Sequence, residues 1–434
     1  MNRRNFIGTL VAAAATAGGR SAAGEAAQPS PREYVPQISH DVPPRNRHPY
    51  RGLDWSKVQH VRTTSHGHCD NSQQLDAYLR HGFGFLTISN YYPSAPTYPG
   101  GSFTRDHYVY HTDYPLIRHG RRFAPEGPID WNKELASVRD KMHPSVKDRF
   151  PFDPKKDELL FPNWPQGILE APNAEHFGFY FDDGGFDRNV HLCAPGSFYR
   201  SGTFDKGGKF GVHRLGYGSS CGEHWRTSAD RMIKALMFPD GGGVTINHPT
   251  WSLLDRETIL KMLDHDPRIL GLEAQEGGGI VSEDYWDWVL ATGRQCFGFF
   301  VPDHEVQNPR FGANVLLVEE RTVHACLRAY REGNFYGSLR ALGELRFTSL
   351  GYDGAKVWAS TDKPARFQVI TAHGVVKEAS GTSVEWQLPK SNLSQWGYGT
   401  VGREHEVYAR VRASATDGSG EVISSQPFMM DTPD

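Results

Sequence analysis

Apolar strand segments alternate with amphipathic helical segments between residues 58 and 331. This alternation is typical of a parallel β/α array, closed or partly closed, because a helix is the usual crossover between two parallel strands. The chain has 434 residues, of which 38% are hydrophobic and 22% are charged, so it is long enough for two or three globular domains. Strands are predicted at 58–64, 83–89, 167–171, 177–181, 189–194, 243–247, 269–275, 296–301 and 315–318, and helices at 71–79, 225–237, 256–263, 284–292 and 322–331.

The pattern changes on the C-terminal side of this array. From about residue 345, short strands at 357–360, 365–371, 383–387 and 406–413 are separated by Gly, Asp, Ser and Lys turns. This pattern predicts an antiparallel β-sandwich domain over 341–434, which follows a domain over 55–340. Two further segments lack sustained periodicity: an extended lead-in at 28–54, and a long insertion at 93–165 with one helix near 132–141.

The N-terminus has the composition of an export signal. Arg3 and Arg4 precede an apolar run over 6–17 and a group of small residues, which is typical of a twin-arginine signal peptide over 1–27. We therefore expect the twin-arginine translocase as a partner during export, and a periplasmic or extracellular mature protein. No later segment is apolar enough to predict stable membrane insertion. A formal net charge of −3 gives no electrostatic reason to expect nucleic acid as a partner.

Potential metal ligands follow five of the predicted strands. In a β/α barrel the carboxyl ends of the strands share one face, so residues far apart in sequence converge there. Imidazole nitrogens and carboxylate oxygens suit one or two divalent ions such as Zn, Mn or Fe, and a Glu can bridge two ions. The candidate ligands are His66, His68, Glu175, His191, His248 and Asp303.

The order of these residues resembles that of the polymerase and histidinol phosphatase (PHP) superfamily of metal-dependent hydrolases. The resemblance is to the branch with a C-terminal β-domain, which includes carbamate-ester hydrolases. Its most specific elements are Asn247-His248-Pro249 at a strand end and the late Asp303-His304, and segments 82–91, 271–274 and 322–336 are also similar. The resemblance covers roughly residues 55–340. It implies a distorted PHP-type β/α barrel followed by an antiparallel β-sandwich domain.

The sequence departs from the family pattern at two places. Ser89-Asn90-Tyr91 stands where the family has Thr-Asp-His, so the resemblance implies one or two metals rather than three. The ligands that it implies are His66, His68, Glu175 and Asp303 for one ion, and Glu175, His191 and His248 for the other. Asp303 and His304 are adjacent, without the usual spacer, and adjacent residues on an extended segment point in opposite directions.

The first ligand pair has two alternative positions. His60-Val61-Arg62 fits the family's spacing to the second strand without a gap, whereas His66-Gly67-His68 keeps both imidazoles. We prefer His66 and His68, because a guanidinium has no acceptor atom and Arg62 cannot be a ligand.

The resemblance implies hydrolysis of a phosphate ester or another small ester by a metal-activated water. His304, His176 and Asp303 are the candidate catalytic residues, with His304 or His176 as the proton donor to the leaving group. His176 fits equally well a role in orienting Glu175. Substrate contacts are expected from residues after the second strand, Asn90, Tyr91 and Tyr92.

Two further alternatives remain open at this point. A secreted binding protein built on a degenerate hydrolase barrel could recognise a sugar or cell-wall ligand through aromatic segments such as 285–288. In the hydrolase interpretation the partner is a small-molecule or sugar-like substrate. A basic group in the insertion either contacts an anionic part of that substrate or is simply solvated; its members are Arg105, His107, Arg118, His119, Arg121 and Arg122.

Overall fold

The structure is a computed structural model that describes residues 44–69, 71–90, 100, 161–182, 185–197, 225–234, 236–237, 241–308, 310–339, 345–389 and 406–430. The helices in these ranges are α1 (Ser72–Arg80), α2 (Trp225–Lys234), α3 (Arg256–His265), α4 (Glu283–Ala291) and α5 (Val323–Glu332). The strands are β1 (Gln59–Thr63), β2 (Phe85–Leu86), β3 (Leu169–Glu170), β4 (His176–Asp182), β5 (Gly185–Cys193), β6 (Val244–Ile246), β7 (Ile269–Gln275), β8 (Phe297–Phe300), β9 (Gly312–Val318), β10 (Phe335–Leu339), β11 (Phe347–Tyr352), β12 (Lys356–Thr371), β13 (Gly374–Gln387), β14 (Tyr408–Ala415), β15 (Val422–Ser425) and β16 (Phe428–Met429).

These strands form three sheets. The largest is antiparallel and has the order β1-β9-β10-β15-β14-β12-β11, with β13 paired to β12 and β16 to β14. A second sheet is the parallel pair β2-β3. The third has the order β4-β5-β6-β7-β8 and is antiparallel as far as β6 and parallel beyond it. The fold is therefore mixed α/β and consists mostly of sheet.

The expected parallel β/α array is present only in part among the described strands. Among the described residues, parallel ladders join β2 to β3 and β6 through β7 to β8, and isolated parallel bridges join Arg62 to Phe83 and Gly67 to Asp303. β5 follows β4 along the chain without an intervening helix, and two strands joined by a short connection pair antiparallel. The ladders of the described residues do not close into one ring, so the PHP-type barrel stays a prediction.

Three of the described helices begin at a polar side chain that caps them. Asn71 accepts a hydrogen bond from the backbone of Gln74 at the start of α1, Asp255 caps α3, and Thr322 caps α5. Each cap satisfies a backbone N–H group that has no partner within the helix. α5 ends at Gly333, whose φ of 73° is left-handed and suits glycine.

The C-terminal strands extend the sheet that contains β1. β15 pairs with β10, with Tyr336 opposite Ser425. A second link is Arg410 on β14, which is 1% exposed and binds Asp287 and Glu283 on α4. Described strands on both sides of the predicted boundary between 340 and 341 thus belong to one sheet, and the predicted division into domains stays a prediction.

Several predicted segments lie outside the described residues. They are the signal at 1–27, the lead-in up to residue 43, the helix near 132–141 and the basic group of the insertion. Among the described helices, none has the length and apolar character needed to span a membrane.

Candidate metal centre

Isolated bridges hold the strand ends close together. Arg62 bridges to Phe83, so the chain entering β2 lies beside β1, and Gly67 bridges to Asp303, which follows β8. A Cβ atom at Gly67 would collide with the hydroxyl of Tyr78, so the residue between the two histidines has no room for a side chain. These pairings bring together six of the sequence-predicted residues: His66 and His68 after β1, Glu175 before β4, His191 on β5, His248 after β6 and Asp303 after β8.

Four of these residues, here called cluster A, have ligand atoms around one point: His66, His68, Glu175 and Asp303. Nε2 of His66 lies 3.3 Å from Nε2 of His68, from Oε2 of Glu175 and from Oδ1 of Asp303. Nε2 of His68 lies 3.1 Å from the same Glu175 oxygen and 3.3 Å from the same Asp303 oxygen. When four ligand atoms surround an ion tetrahedrally at about 2.1 Å from it, they lie roughly 3.4 Å from one another. The four atoms of cluster A therefore fit a single cation.

Glu175 also belongs to a second group, here called cluster B, with His191 and His248. Its Oε1 atom lies 2.8 Å from Nδ1 of His191 and 3.0 Å from Nε2 of His248. The two imidazole nitrogens are 3.2 Å apart. Glu175 thus presents one carboxylate oxygen to each cluster. Three protein ligands are typical of catalytic metal sites, in which another position takes water or substrate.

Glu273 supports both clusters, and sequence reasoning did not select it. Its Oε1 atom lies 2.7 Å from Nδ1 of His66, and its Oε2 atom accepts the backbone N–H of His248 at 2.7 Å. The remaining ring nitrogen of His248 is 2.9 Å from the hydroxyl of Ser252. Such partners fix the orientation of a ligating imidazole. The sequence signal that could have identified Glu273 is a carboxylate in the middle of an apolar strand, β7, every residue of which is buried.

Unusual backbone angles occur at two of the ligands. His248 has φ 27° and Asp303 has φ 52°, both in a region that residues with a Cβ rarely adopt. Backbone hydrogen bonds hold Asp303 in this conformation. Its carbonyl accepts the backbone N–H of His68 at 2.9 Å, and its own N–H donates to the backbone carbonyl of His66 at 3.2 Å. Non-glycine residues in this region are frequent at functional sites.

The side chain of Asn173 forms hydrogen bonds with residues at the ends of four strands. Its Nδ2 atom donates to the carbonyls of Ser65 at 2.8 Å and Thr87 at 3.1 Å. Its Oδ1 atom accepts the N–H groups of Ala174 and Ala194, both at 2.9 Å. Since the side chain is 1% exposed, water cannot replace these bonds.

The buried charges of the site are strongly coupled. Burial favours the neutral form of Glu175, but His66 and His191 hold the pKa of that carboxyl well below its usual range. Burial likewise opposes charge on His68, yet Asp303 and Glu175 raise its pKa to about 9. The pKa of His66 is raised well above its ordinary value, because Glu175 and other nearby acids outweigh burial. In His191, by contrast, burial lowers the pKa to about 4. The buried carboxylates of Glu175 and Asp303 thus outweigh burial and favour positive charge on His66 and His68, and the same negative charge favours a bound cation.

His304, a predicted catalytic residue, lies at the exposed side of cluster A. Its ring stacks on His68 with a centroid distance of 3.8 Å and an interplanar angle of 11°. Its Nε2 atom is 3.7 Å from Oδ1 of Asp303, and its side chain is 41% exposed. The expectation that Asp303 and His304 point in opposite directions is wrong, because the left-handed φ of Asp303 turns the chain.

The other predicted site residues have different positions. His176 is buried at the start of β4 and is not a member of either cluster. Asn90 is also buried, and its amide bonds both the N–H and the carbonyl of Cys69, at 2.7 and 2.8 Å. Tyr91 and Tyr92 lie outside the described residues. Nδ1 of His60 is 3.1 Å from the hydroxyl of Tyr336, and of the two alternative positions it is His66, not His60, that belongs to a candidate cluster.

Trp251 is a neighbour of cluster B that sequence reasoning missed. Its ring lies edge-on to His248 at 4.9 Å and tilted to His191 at 5.7 Å. Glu276 positions this loop, because its carboxylate accepts the backbone N–H groups of Thr250 at 2.7 Å and Trp251 at 3.2 Å. Burial raises the pKa of Glu276.

No family model and no curated protein matches this chain. One solved structure is similar: a two-domain protein from Bacteroides vulgatus that contains a predicted PHP-like metal-dependent phosphoesterase. The sequence identity is 11%, the similarity covers 87% of this chain and 95% of that one, and the TM-score is 0.36. Similarity at this level leaves the geometry of the two clusters as the basis for assigning a function.

Proposed function

We propose that the chain is an exported metal-dependent hydrolase of the PHP superfamily that cleaves a phosphate ester or another small ester. The observation that carries this proposal is the pair of clusters joined by Glu175, with ligand atoms 2.8 to 3.3 Å apart. A carbamic or carboxylic ester remains the second substrate class, because the ligand set does not distinguish phosphoryl from acyl centres.

Cluster A would hold one divalent ion and cluster B a second, such as Zn, Mn or Fe. The donor set of imidazole nitrogens and carboxylate oxygens suits these ions. A divalent ion bound there supplies a Lewis acid and lowers the pKa of water towards neutrality.

The chain's own residues orient the ligands and manage protons. Glu273 fixes the ring of His66 and the backbone of His248. His304 is the proposed proton donor to the leaving group, since it is exposed and Asp303 lies beside it. Asn90 holds the backbone of Cys69, the residue that follows His68. Tyr91 and Tyr92 are proposed to contact the small-molecule substrate.

Hydrolysis is tested with a panel of phosphate, carboxylic and carbamic esters. We expect the double variant His66→Ala/His68→Ala to lose turnover by at least about a hundredfold, because cluster A loses half of its ligands. The matched control is His373→Ala, whose side chain is 42% exposed in the turn between β12 and β13. Turnover that survives the double substitution would exclude the clusters as the catalyst.

Export by the twin-arginine pathway is proposed on the basis of Arg3 and Arg4. Replacing both residues with Lys should leave the precursor in the cytoplasm, and unchanged export of this variant would refute the signal.

The structure does not favour the sugar-binding alternative at the aromatic segment 285–288. Trp286 is completely buried and donates its indole N–H to the carbonyl of Cys296 at 2.8 Å. Arg256 lies over the rings of Tyr285 and Trp288, at 5.8 and 5.1 Å. These aromatic side chains therefore pack against other residues of the protein.

A further inference from the structure

A cavity of about 300 Å³ lies apart from both clusters, and none of its described lining residues is a cluster member. The cavity lies between β1, β10, the end of α1 and the start of β11. Its polar lining is dominated by cations and imidazoles: His60, Arg62, Arg80, His81 and Arg346, with the hydroxyl group of Tyr336. A volume of this size is at the lower end of the range for small-molecule sites.

The register of the sheet builds one wall of the cavity. Arg62 on β1 is opposite Val315 on β9, which is opposite Tyr336 on β10. Side chains of directly paired residues lie on the same face of a sheet. His60 is on that face as well, two residues before Arg62, and its Nδ1 atom is 3.1 Å from the Tyr336 hydroxyl. Val61 points to the opposite face and packs in a separate core.

The turn after α1 builds the other wall. Gly84 donates to the carbonyl of Arg62 at 2.9 Å, which holds this turn against β1. Nη1 of Arg62 donates to the carbonyl of His81 at 2.5 Å. The chain turns at Gly82, whose φ is 71°. As a result, Arg80 and Arg62 line the same cavity although they come from different elements.

The charge around this cavity is unbalanced. Arg80 and Arg346 are exposed, and neither forms an ion pair within the part of the chain that the structure describes. Two acids lie near the cavity, Glu421 and Asp362, and they also accept the backbone N–H groups of Leu345 at 2.9 Å and Arg346 at 2.8 Å. The three lining arginines therefore outnumber these carboxylates. Guanidinium groups that outnumber the carboxylates around a cavity attract an anion.

We propose that this cavity binds a phosphate-type oxyanion, either free phosphate or the phosphate group of a small organic molecule. Arg62, Arg80 and Arg346 would supply the charge, since the planar guanidinium matches the oxygen spacing of phosphate and binds it with paired hydrogen bonds. His60, His81 and Tyr336 add polar contacts at the wall. The proposal is independent of hydrolysis at the metal centre, because the two sites share no residue.

Calorimetric titration with inorganic phosphate at constant ionic strength tests this proposal. The full-length chain carries His66→Ala/His68→Ala in every sample, so that phosphate bound at the metal centre does not contribute. In this background we expect saturable phosphate binding. The double variant Arg80→Gln/Arg346→Gln should raise Kd by about tenfold or more, because each lost hydrogen bond is charge-assisted. Both arginines are exposed, so the variant should fold, and its unfolding temperature serves as the check.

The matched control is Arg366→Gln, an exposed arginine paired with Glu378 on the C-terminal sheet, which should leave Kd unchanged. A second titration with glycerol phosphate separates the two sources of phosphate: tighter binding than inorganic phosphate assigns the site to an organic phosphate, and weaker binding assigns it to the free ion. An absence of saturable phosphate binding would overturn the proposal. So would an unchanged Kd in Arg80→Gln/Arg346→Gln.

Discussion

Glu175 connects the two clusters, because each of its carboxylate oxygens faces two imidazole nitrogens. Its side chain is fully buried, and a buried carboxylate needs compensating positive charge. The surrounding histidines provide part of this charge and hold the pKa of Glu175 low. A pair of divalent cations would provide it completely.

The single substitution His248→Ala tests whether cluster B binds a metal ion. We expect His248→Ala to bind one divalent ion fewer per chain, because cluster B would retain only Glu175 and His191. The ion of cluster A should remain, since none of its four ligands is altered. Elemental analysis of the purified variant measures this directly, with His373→Ala as the control. Full metal content in His248→Ala would remove His248 from the ligand set.

Protonation of His60 should make the free energy of unfolding depend on pH, and His60 lies outside the two clusters. Burial, with a contribution from Arg346, lowers its pKa to about 4. The unfolded chain then binds this proton more tightly than the folded one, so stability is lost as pH falls from about 6.5 to about 4. In His60→Gln, the loss of unfolding free energy between pH 7 and pH 5 should be smaller by about 2 kcal/mol.

Chemical denaturation at the two pH values measures this difference. The exposed His324→Gln serves as the control and should behave as the wild type does. An equal loss of stability in His60→Gln and wild type would show that His60 is not the group responsible.

At the scale of elements, sequence patterns predicted the apolar strands and capped helices well. The strand predicted at 269–275 coincides with β7, and α3 begins at the predicted residue. Burial and helix caps are local signals, which explains this agreement. β10, β11, β15 and β16 were not predicted, and strand direction was wrong for β4-β5 and β1-β9. Pairing depends on contacts between residues far apart in sequence, which periodicity does not report.

The residues of the candidate site were predictable for a similar reason. A His, Glu or Asp directly after an apolar strand is a local pattern, and all six predicted ligands lie in the two clusters. Supporting residues gave weaker signals. Asn173 and Glu276 act through the backbone of other segments, and that role follows only from the fold.

Asn173 provides the test at this scale. Asn173→Ala removes four buried hydrogen bonds to the ends of different strands. Unsatisfied buried groups are costly, so we expect the free energy of unfolding to fall by about 2–4 kcal/mol and the metal content to fall with it. The control is Asn308→Ala, in a surface turn where the side chain binds Glu305. A change below about 0.5 kcal/mol would contradict the role assigned to Asn173.

At the scale of the whole molecule, the metal centre and the C-terminal strands are parts of one structure. The antiparallel sheet runs from β1, which leads to His66 and His68, to β15 and β14. The hydrophobic core on one face of this sheet combines Val315 and Leu317 of β9 with Phe367 and Val411 of the C-terminal strands.

Arg410 tests this connection. Its guanidinium bonds both carboxylate oxygens of Asp287 at 2.8 Å and lies 3.1 Å from Glu283, and it is almost fully buried. Removing one partner of a buried ion pair leaves uncompensated charge, so Arg410→Met should lower the free energy of unfolding by about 3–5 kcal/mol. Arg366→Met, at an exposed pair on the same sheet, should cost less than about 1 kcal/mol. Equal effects in the two variants, measured by urea denaturation, would argue against the link.

The metal content of the purified protein is the most direct measurement of the central claim. Elemental analysis should find about two divalent ions per chain in the wild type, one for each cluster. Glu175→Gln should lose both, because the amide cannot provide the charge of the carboxylate that the clusters share. Glu170→Gln, an acid that accepts the backbone N–H of Gly100 and belongs to neither cluster, should keep the wild-type content. A wild-type protein without bound metal after purification and metal supplementation, or a Glu175→Gln variant with both ions in place, would contradict the account.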